Sequence, residues 1–144
     1  MASPVKRNIR SVADAKQRFD ERYGAGQNAA TVALEREVIG GDYGANSYTT
    51  REQADELLDR LELTRSDRLL EVGSGRGWPG LYLSKRSGCG VVLTDLPVVA
   101  LNEAGRRARK DRLHKRSECI VAGGSTLPFR PRSFDAIVHS DVLC

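Results

Sequence analysis

The sequence predicts an α/β fold with a doubly wound parallel sheet, and three features of its second half support this prediction. Short apolar runs alternate with longer segments of helical periodicity from Arg68 onward. The first of these runs ends in a cluster of glycines, and the second run ends in Asp95. Apolar strands that alternate with helices are typical of a parallel sheet that helices cover on both faces.

Residues 1–50 are predicted to form a helical extension that precedes the sheet and acts as a lid. Between Ser11 and Tyr23, apolar side chains recur at near-helical spacing, with charged residues on the other side. Residues 24–26 interrupt this helix because two of them are glycines. A second short helix is predicted over residues 29–38.

Residues 51–144 are predicted to form a partial sheet domain that begins with a helix over residues 51–61. Thr49 or Thr50 is placed to cap this helix, and Glu52 lies at the capping-box distance from Thr49. The predicted strands are residues 69–72, 91–94, 119–122 and 136–139. The helices predicted between them are residues 79–86 and 97–112. A helix therefore follows each of the first two strands, as parallel crossovers require.

The segment Glu71–Gly77, with the sequence EVGSGRG, joins the first predicted strand to the helix that follows it. A sharp strand-to-helix turn needs residues that tolerate positive φ angles, and glycine also lets a ligand approach the backbone closely. The amino end of the helix offers free N–H groups to a polar or anionic ligand. Because Asp95 ends the neighbouring strand, its carboxylate reaches the same crevice and could accept both hydroxyls of a ribose. The pattern therefore predicts a cofactor of the nucleoside type.

Two classes of cofactor fit this loop. Residues 75–80 match G-x-G-x-x-G, and Asp95 lies twenty residues after Gly75, as in a dinucleotide site. If the strand ends at Val72, the pattern is instead E-x-G-x-G-x-G, and Glu71 lies beneath the loop, where it could receive a cationic amino group. The alternative for this carboxylate is a set of hydrogen bonds from nearby backbone amides.

The segments LLEVGSGRG, LTDLP and LPFRPRSFDAIVHSDVL resemble the class I S-adenosylmethionine-dependent methyltransferases of the small-molecule branch. The resemblance covers about residues 68–143 and implies a Rossmann-like fold with the cofactor S-adenosyl-L-methionine. The residues that it implies for cofactor binding are Glu71, Gly73, Ser74, Gly75, Gly77, Asp95 and Leu96. The glycines would line the methionine part, and Glu71 would support its amino end. Asp95 would bind the ribose, and Leu96 would lie against the adenine.

Several residues near the loop have two interpretations. Tyr43 and Tyr48 precede the sheet domain, as lid residues of such enzymes often do, or they pack in the ordinary way. Trp78 is expected to pack over the loop rather than to stack on a substrate. The position that often carries an adenine-reading acid in this family is Gly123 here. Backbone groups or Ser125 would then have to replace that acid.

His139 and Asp141 lie at the end of the fourth predicted strand, near the place where the methyl group would react. A general base is conceivable there, although this position more often supplies backbone contacts. The sequence shows no dedicated nucleophile, so the catalytic residues stay unassigned. None is needed, because transfer of a methyl group that is already activated depends mainly on alignment of the acceptor.

The resemblance also implies that part of the sheet is missing. The family's sheet has seven strands in the order 3-2-1-4-5-7-6, whereas this sequence supplies four and stops at Cys144. The fourth strand would then present an unpaired apolar edge, which favours pairing with another chain. We therefore expect a truncated chain that could self-associate through this edge. The alternatives are a partner-dependent subunit and an unusual minimal fold.

Composition excludes several classes of protein. The 144 residues carry 23 Lys and Arg against 19 Asp and Glu, a net charge of +4, and 40% of them are hydrophobic. No apolar run approaches the roughly 18 residues that a membrane helix needs, and no secretory signal is visible. The three cysteines lack the spacing of a metal site or of a disulfide scaffold. These features predict a cytoplasmic protein without a metal site.

Much of the positive charge lies in one stretch, residues 106–116. A solvated helix face explains this stretch better than a nucleic-acid interface does, because no aromatic side chains interleave with the cations. We therefore expect methyl transfer to a small-molecule acceptor rather than to nucleic acid. The alternatives are an NAD(P)-dependent oxidoreductase and a catalytically incomplete fragment or partner-binding module.

Overall fold

Residues 12–140, the part of the chain that the structure describes, form five helices and four strands in this computed structural model. The helices are α1 (Val12–Gly24), α2 (Ala29–Val38), α3 (Arg51–Leu61), α4 (Gly80–Ser87) and α5 (Val98–Lys110). The strands are β1 (Arg68–Val72), β2 (Gly90–Asp95), β3 (Ser117–Val121) and β4 (Ala136–His139). All the predicted helices and strands are present, in the predicted order.

The four strands form one parallel sheet in the order β3-β2-β1-β4. Leu70 of β1 pairs with Val92 of β2 on one side and with Ile137 of β4 on the other. Helix α4 packs against β1 and β2, and α5 packs against β2 and β3. The prediction of a parallel α/β sheet with flanking helices is therefore confirmed, including the position of the fourth strand beside the first.

Of the two residues predicted to cap α3, Thr50 is the cap, whereas the predicted capping box is wrong. The hydroxyl of Thr50 accepts a hydrogen bond from the backbone N–H of Gln53 at 3.2 Å, and the Gln53 side chain accepts one from the Thr50 N–H at 2.9 Å. The capping box is therefore Thr50 with Gln53 rather than Thr49 with Glu52. The Thr49 carbonyl instead accepts the indole N–H of Trp78 at 2.9 Å.

Strand β3 begins at Ser117, two residues before the predicted start at Cys119. Its first pair with β2 is Val91 with Ser117, so its start is set by pairing with β2 rather than by its own side chains. The residues of β3 are half-buried or exposed, which is why an apolar run did not mark the start of the strand.

The apolar core lies between the sheet and its helices. Its members include the fully buried Leu69, Leu83, Cys89, Leu93 and Ala104. Helix α1 packs on α5, and Arg107 of α5 donates hydrogen bonds to Gln27 at 3.0 Å and to Asp42 at 3.1 Å. These contacts attach the helical extension beside the carboxyl ends of the strands. Within residues 12–140, no helix combines the length and the apolar character that crossing a membrane requires.

Candidate functional site

The glycine loop is fastened to the end of β2 by the side chain of Asp95. Its Oδ2 accepts a hydrogen bond from the backbone N–H of Gly75 at 2.7 Å, and its Oδ1 accepts one from the N–H of Leu96 at 2.8 Å. The N–H of Ser74 donates to the carbonyl of Thr94 at 3.0 Å. Burial raises the pKa of Asp95, while the two backbone hydrogen bonds act in the opposite direction. The loop and the acid therefore meet at the carboxyl ends of the strands.

Two glycines of this loop have positive φ angles and no room for a side chain. Gly75 has a φ of 52°, and a Cβ atom there would lie 2.5 Å from the hydroxyl oxygen of Tyr23. Gly77 has a φ of 94°, and a Cβ atom there would lie 2.6 Å from Cδ1 of Leu81 in α4. Glycine adopts such φ angles readily, whereas other residues do so at a cost. Gly75 therefore lets α1 approach the loop, and Gly77 lets α4 pack against it.

Glu71 lies beneath the loop and has no exposure to solvent. Its Oε2 accepts a hydrogen bond from the N–H of Gly80 at 2.9 Å, and its Oε1 has no hydrogen-bond partner among the described residues. Burial raises the pKa of Glu71 to about 8. The Gly80 bond opposes this rise, and the charge of Asp95 adds to it. The carboxyl group is therefore bound by a backbone amide through one oxygen only, and its predicted role in receiving an amino group stays a prediction.

A cleft of about 760 Å³ opens between the loop, the strand ends and the helical extension. The predicted cofactor residues that line it are Gly73, Ser74, Gly75, Asp95 and Leu96. Glu71 and Gly77 do not line it, and their part in cofactor binding stays a prediction. The hydroxyls of Ser47 and Ser74 are buried and have no hydrogen-bond partner among the described residues. Two polar groups of the cleft lining are thus available to a ligand.

Three side chains that cover the glycine loop were not expected from the sequence. Tyr23 is only 8% exposed, and its hydroxyl accepts a hydrogen bond from Nδ2 of Asn46 at 3.3 Å. The guanidinium of Arg76 lies 4.9 Å from the centre of the Tyr23 ring. Burial raises the pKa of Tyr23 and lowers that of Arg76. The signal available in the sequence is the position of Arg76 between two glycines of the loop.

Glu35 of α2 is a second buried carboxylate beside the cleft, with 6% exposure. Its Oε1 accepts hydrogen bonds from the N–H groups of Tyr43 at 2.7 Å and Ala45 at 2.9 Å. Its Oε2 accepts one from Nε2 of Gln27 at 2.8 Å. These bonds hold the loop that follows α2 against the helix. No sequence pattern marks an acid whose partners are backbone groups eight and ten residues away.

Trp78, which follows the loop directly, packs against Tyr43 and against Tyr82 of α4. It is 4% exposed, and its ring stacks on that of Tyr43 with 4.1 Å between the ring centres and 16° between the planes. Tyr43 therefore packs in the ordinary way, which was one of its two interpretations. Tyr48 is 86% exposed and lines the cleft, so its assignment as a lid residue stays a prediction.

The remaining predicted residues lie away from the cleft or outside the described part of the chain. His139 is exposed at the end of β4 and does not line the cleft, and Asp141 lies outside the described residues. Gly123 lines the cleft, whereas Ser125 is exposed and does not. Of the two expected replacements for an adenine-reading acid, only the backbone at Gly123 lies in the cleft lining, and adenine recognition stays a prediction. Residues 12–140 contain no group of three or more His, Cys, Asp or Glu that could hold a metal ion.

The basic stretch is only partly solvated. Arg107 is half-buried and binds Asp42 and Gln27, as described above. Arg116 donates to the carbonyl of Gly88 at 3.0 Å. Part of the positive charge of this stretch therefore serves internal contacts.

A second cleft, of about 630 Å³, lies at the amino ends of β1 and β2 and contains none of the predicted cofactor residues.

Comparison with known families decides between the two cofactor classes. Residues 70–144 match the model of a family described as a methyltransferase domain. The chain belongs to this methyltransferase family. It is 30% identical over 95 residues to 24-methylenesterol C-methyltransferase 2 of Oryza sativa subsp. japonica, which covers 66% of this chain and 26% of that protein. It is 30% identical over 83 residues to methyltransferase GfsG of Streptomyces halstedii, which covers 58% of this chain and 30% of that protein.

Solved structures share the fold. The geranyl diphosphate C-methyltransferase of Streptomyces coelicolor A3(2), crystallised with Mg²⁺, geranyl-S-thiolodiphosphate and S-adenosyl-L-homocysteine, has a TM-score of 0.63 and 21% identity. The match covers 84% of this chain and 54% of that one. A methyltransferase of Thiobacillus denitrificans, crystallised with S-adenosyl-L-homocysteine, has a TM-score of 0.52 and 21% identity and covers 62% of this chain and 36% of that one.

These matches confirm the resemblance to class I methyltransferases that was drawn from the loop, and they leave the oxidoreductase alternative without support. The E-x-G-x-G-x-G interpretation of the loop is therefore the better one. The chain spans about a quarter to a third of the length of the two curated relatives.

Proposed function

We propose that this chain forms the cofactor-binding part of an S-adenosylmethionine-dependent methyltransferase that acts on a small-molecule acceptor. The proposal rests on the hydrogen bond from the Gly75 N–H to the Asp95 carboxylate. This bond places a strand-end carboxylate and a glycine loop in one cleft. The names of the relatives support a small-molecule acceptor, since one is a sterol methyltransferase and another acts on geranyl diphosphate.

The cleft residues fit such a cofactor. Each oxygen of Asp95 accepts one backbone hydrogen bond and keeps a further lone pair, so the carboxylate can still accept the two hydroxyls of a ribose. Leu96 offers an apolar contact for an adenine. The unpartnered hydroxyl of Ser74 and the backbone of Gly73 and Gly75 are available to the methionine part.

The cofactor would supply an activated methyl group on a sulfonium. The chain's own residues then need only orient the acceptor and exclude water, and alignment of this kind is worth up to roughly 7–11 kcal/mol. Tyr23 and Trp78 are suited to excluding water, because both are buried beside the loop. Glu71 and Gly77 contribute indirectly, since they hold the loop in place through α4.

Three further parts of the proposal concern organisation and location. We propose that residues 1–50 form an extension over the cleft and that residues 51–144 form the partial methyltransferase domain. Within residues 12–140, Cys89 and Cys119 are free thiols, which supports a reducing, cytoplasmic location. The engagement of Arg107 with Asp42 supports a small molecule over nucleic acid as the partner.

A second candidate function is a catalytically incomplete module that pairs with another chain, including a second copy. Among the described strands, β4 has one neighbour, β1. Ile137 of β4 is 60% exposed, so the outer edge of the sheet presents apolar surface. An edge of this kind favours the addition of a strand.

Calorimetry tests the first candidate. We expect S-adenosyl-L-homocysteine to bind and NAD to bind at least about tenfold more weakly. Asp95→Asn keeps an acceptor for Gly75 but loses the charge that favours the ribose hydroxyls and the second acceptor, which faces Leu96. It should weaken the binding of S-adenosyl-L-homocysteine by about tenfold. Asp111→Asn, which removes a surface carboxylate bound to Lys85, is the matched control and should bind like the wild type.

Equal effects of the two substitutions, or tighter binding of NAD, would contradict the proposal. Transfer of a labelled methyl group to small-molecule fractions then separates an active enzyme from an incomplete module. A chain that binds S-adenosyl-L-homocysteine but transfers no label supports the second candidate.

A further inference from the structure

The cleft has a second half that the proposed cofactor residues do not occupy. This half is formed by α1, α2 and the loop that follows them. Its apolar side chains are Phe19, Leu34, Val38 and Ile39. Phe19, Leu34 and Val38 are 39%, 60% and 54% exposed, although they lie on helices that could have turned them toward the core. Large apolar side chains grouped in a cleft mark a ligand site more often than scattered ones do.

The apolar half is continuous with the glycine loop. The ring of Phe19 stacks on Tyr23 with 6.4 Å between the ring centres. The hydroxyl oxygen of Tyr23 in turn lies 2.5 Å from the position that a Cβ atom of Gly75 would take. A molecule held along α1 and α2 would therefore reach the loop that is proposed to hold the cofactor.

Two cations stand beside this apolar surface. Arg18 and Arg22 of α1 are exposed and line the cleft, and neither forms an ion pair with a carboxylate of residues 12–140. The acid of this half, Glu35, keeps its charge but is buried and accepts three hydrogen bonds from neutral N–H groups. The exposed charge of this half is therefore that of the two arginines.

We propose that the α1–α2 half of the cleft binds the methyl acceptor, and that the acceptor is an elongated apolar molecule that carries an anionic group. Its apolar body would lie on Phe19, Leu34 and Val38. Its carboxylate or phosphate would lie against Arg18 and Arg22. The proposal rests on the proposed function, because it takes the other half of the cleft to be the cofactor site.

Four ten-carbon probes test the class of ligand by calorimetry, each below its micelle concentration. They are decyl phosphate, decanoate, decanol and decyltrimethylammonium. We expect at least one of the two anions to bind about tenfold more tightly than the cation, with decanol between them. The stronger of the two anions then distinguishes a phosphate from a carboxylate. Cation binding as tight as anion binding would overturn the proposal.

Substitutions test whether the anion binds in the α1–α2 half of the cleft. Val38→Asp puts a negative charge in the apolar wall and should weaken the preferred anion by at least about tenfold. Val99→Asp is the matched control, since this valine is 41% exposed on α5 and does not line the cleft. Leu34→Asn is a milder second variant that should weaken binding in the same direction. Arg18→Gln combined with Arg22→Gln should remove the preference for anions over the cation.

The two proposals fail in different ways. If S-adenosyl-L-homocysteine binds and neither anion does, the acceptor site is wrong while the cofactor site stands. The same follows if Val38→Asp and Val99→Asp have equal effects. If an anion binds in a Val38-dependent way and S-adenosyl-L-homocysteine does not bind, the cofactor proposal fails and the amphiphile site stands as a ligand site only.

Discussion

The stability of this protein should fall as the pH rises from about 4.5 to about 8, because of Glu71. The carboxyl group has a pKa of about 8 in the folded protein, against an ordinary value of 4.5, since it is fully buried. Between these two values the folded chain keeps the proton and the unfolded chain has lost it. The folded state therefore binds more protons, and the free energy of unfolding decreases with rising pH in this window.

The size of the effect follows from the same two values. One pKa unit corresponds to about 1.4 kcal/mol, so a shift from 4.5 to about 8 corresponds to at most on the order of 5 kcal/mol. The contribution is fully present below the unfolded pKa and is lost as the pH passes through the folded one. Asp95, whose pKa is also raised by burial, adds a change of the same sign.

Glu71→Gln isolates the contribution. Glutamine has the shape of the protonated acid, keeps an acceptor for the N–H of Gly80 and cannot ionise. We expect urea denaturation between about pH 5 and pH 9 to give a flatter profile for this variant and a higher stability than wild type at about pH 9. Glu56→Gln, at an exposed position paired with Arg60, is the control and should keep the wild-type slope. Parallel profiles for wild type and Glu71→Gln would refute the reasoning.

Three other perturbations test the packing around the cleft and the sheet edge. Gly75→Ala should destabilise the protein by about 1–3 kcal/mol, because it combines a positive φ with a clash against the Tyr23 hydroxyl. A thermal melt should show this loss, and an unchanged melting temperature would mean that α1 does not lie on the loop. Trp78→Phe should cost about 1 kcal/mol in urea denaturation, since it loses the hydrogen bond to Thr49 and keeps an aromatic ring against α4. Ile137→Lys should lower the apparent mass in light scattering if β4 pairs with another chain, and a mass independent of this change would exclude that edge.

The arrangement of the sheet could be predicted because it follows from local patterns. The apolar run before Gly73 and the acid that ends β2 are separated by a helix, and a parallel crossover then places both at one edge. The hydrogen bond from the Gly75 N–H to Asp95 follows from that placement. The strand that was placed least well, β3, is the one whose side chains are not buried, so its bounds depend on pairing.

The packing of the helical extension over the cleft could not be predicted, because its contacts join residues that are distant in the sequence. Tyr23 and Gly75 are brought together by the packing of α1 on α5, and no periodicity encodes that packing. Glu35 looks like one more acid on a short helix, and only the folded loop shows that backbone amides surround it. The sequence leaves two roles open for Glu71 because it shows the position of the carboxyl group beneath the loop but not the approach of the Gly80 N–H.

The glycine loop and the helical extension therefore pack closely against each other. Gly75 has no side chain, and the space this leaves is filled by the Tyr23 hydroxyl; Arg76, from the same loop, lies over the Tyr23 ring. A ligand that contacts Gly75 must share this space with Tyr23 or displace it. Any ligand of the loop should then be sensitive to the position of α1, and α1 also carries Phe19 and the cations of the proposed acceptor site. Coupling between the two halves of the cleft follows from these two contacts of Tyr23 with the loop.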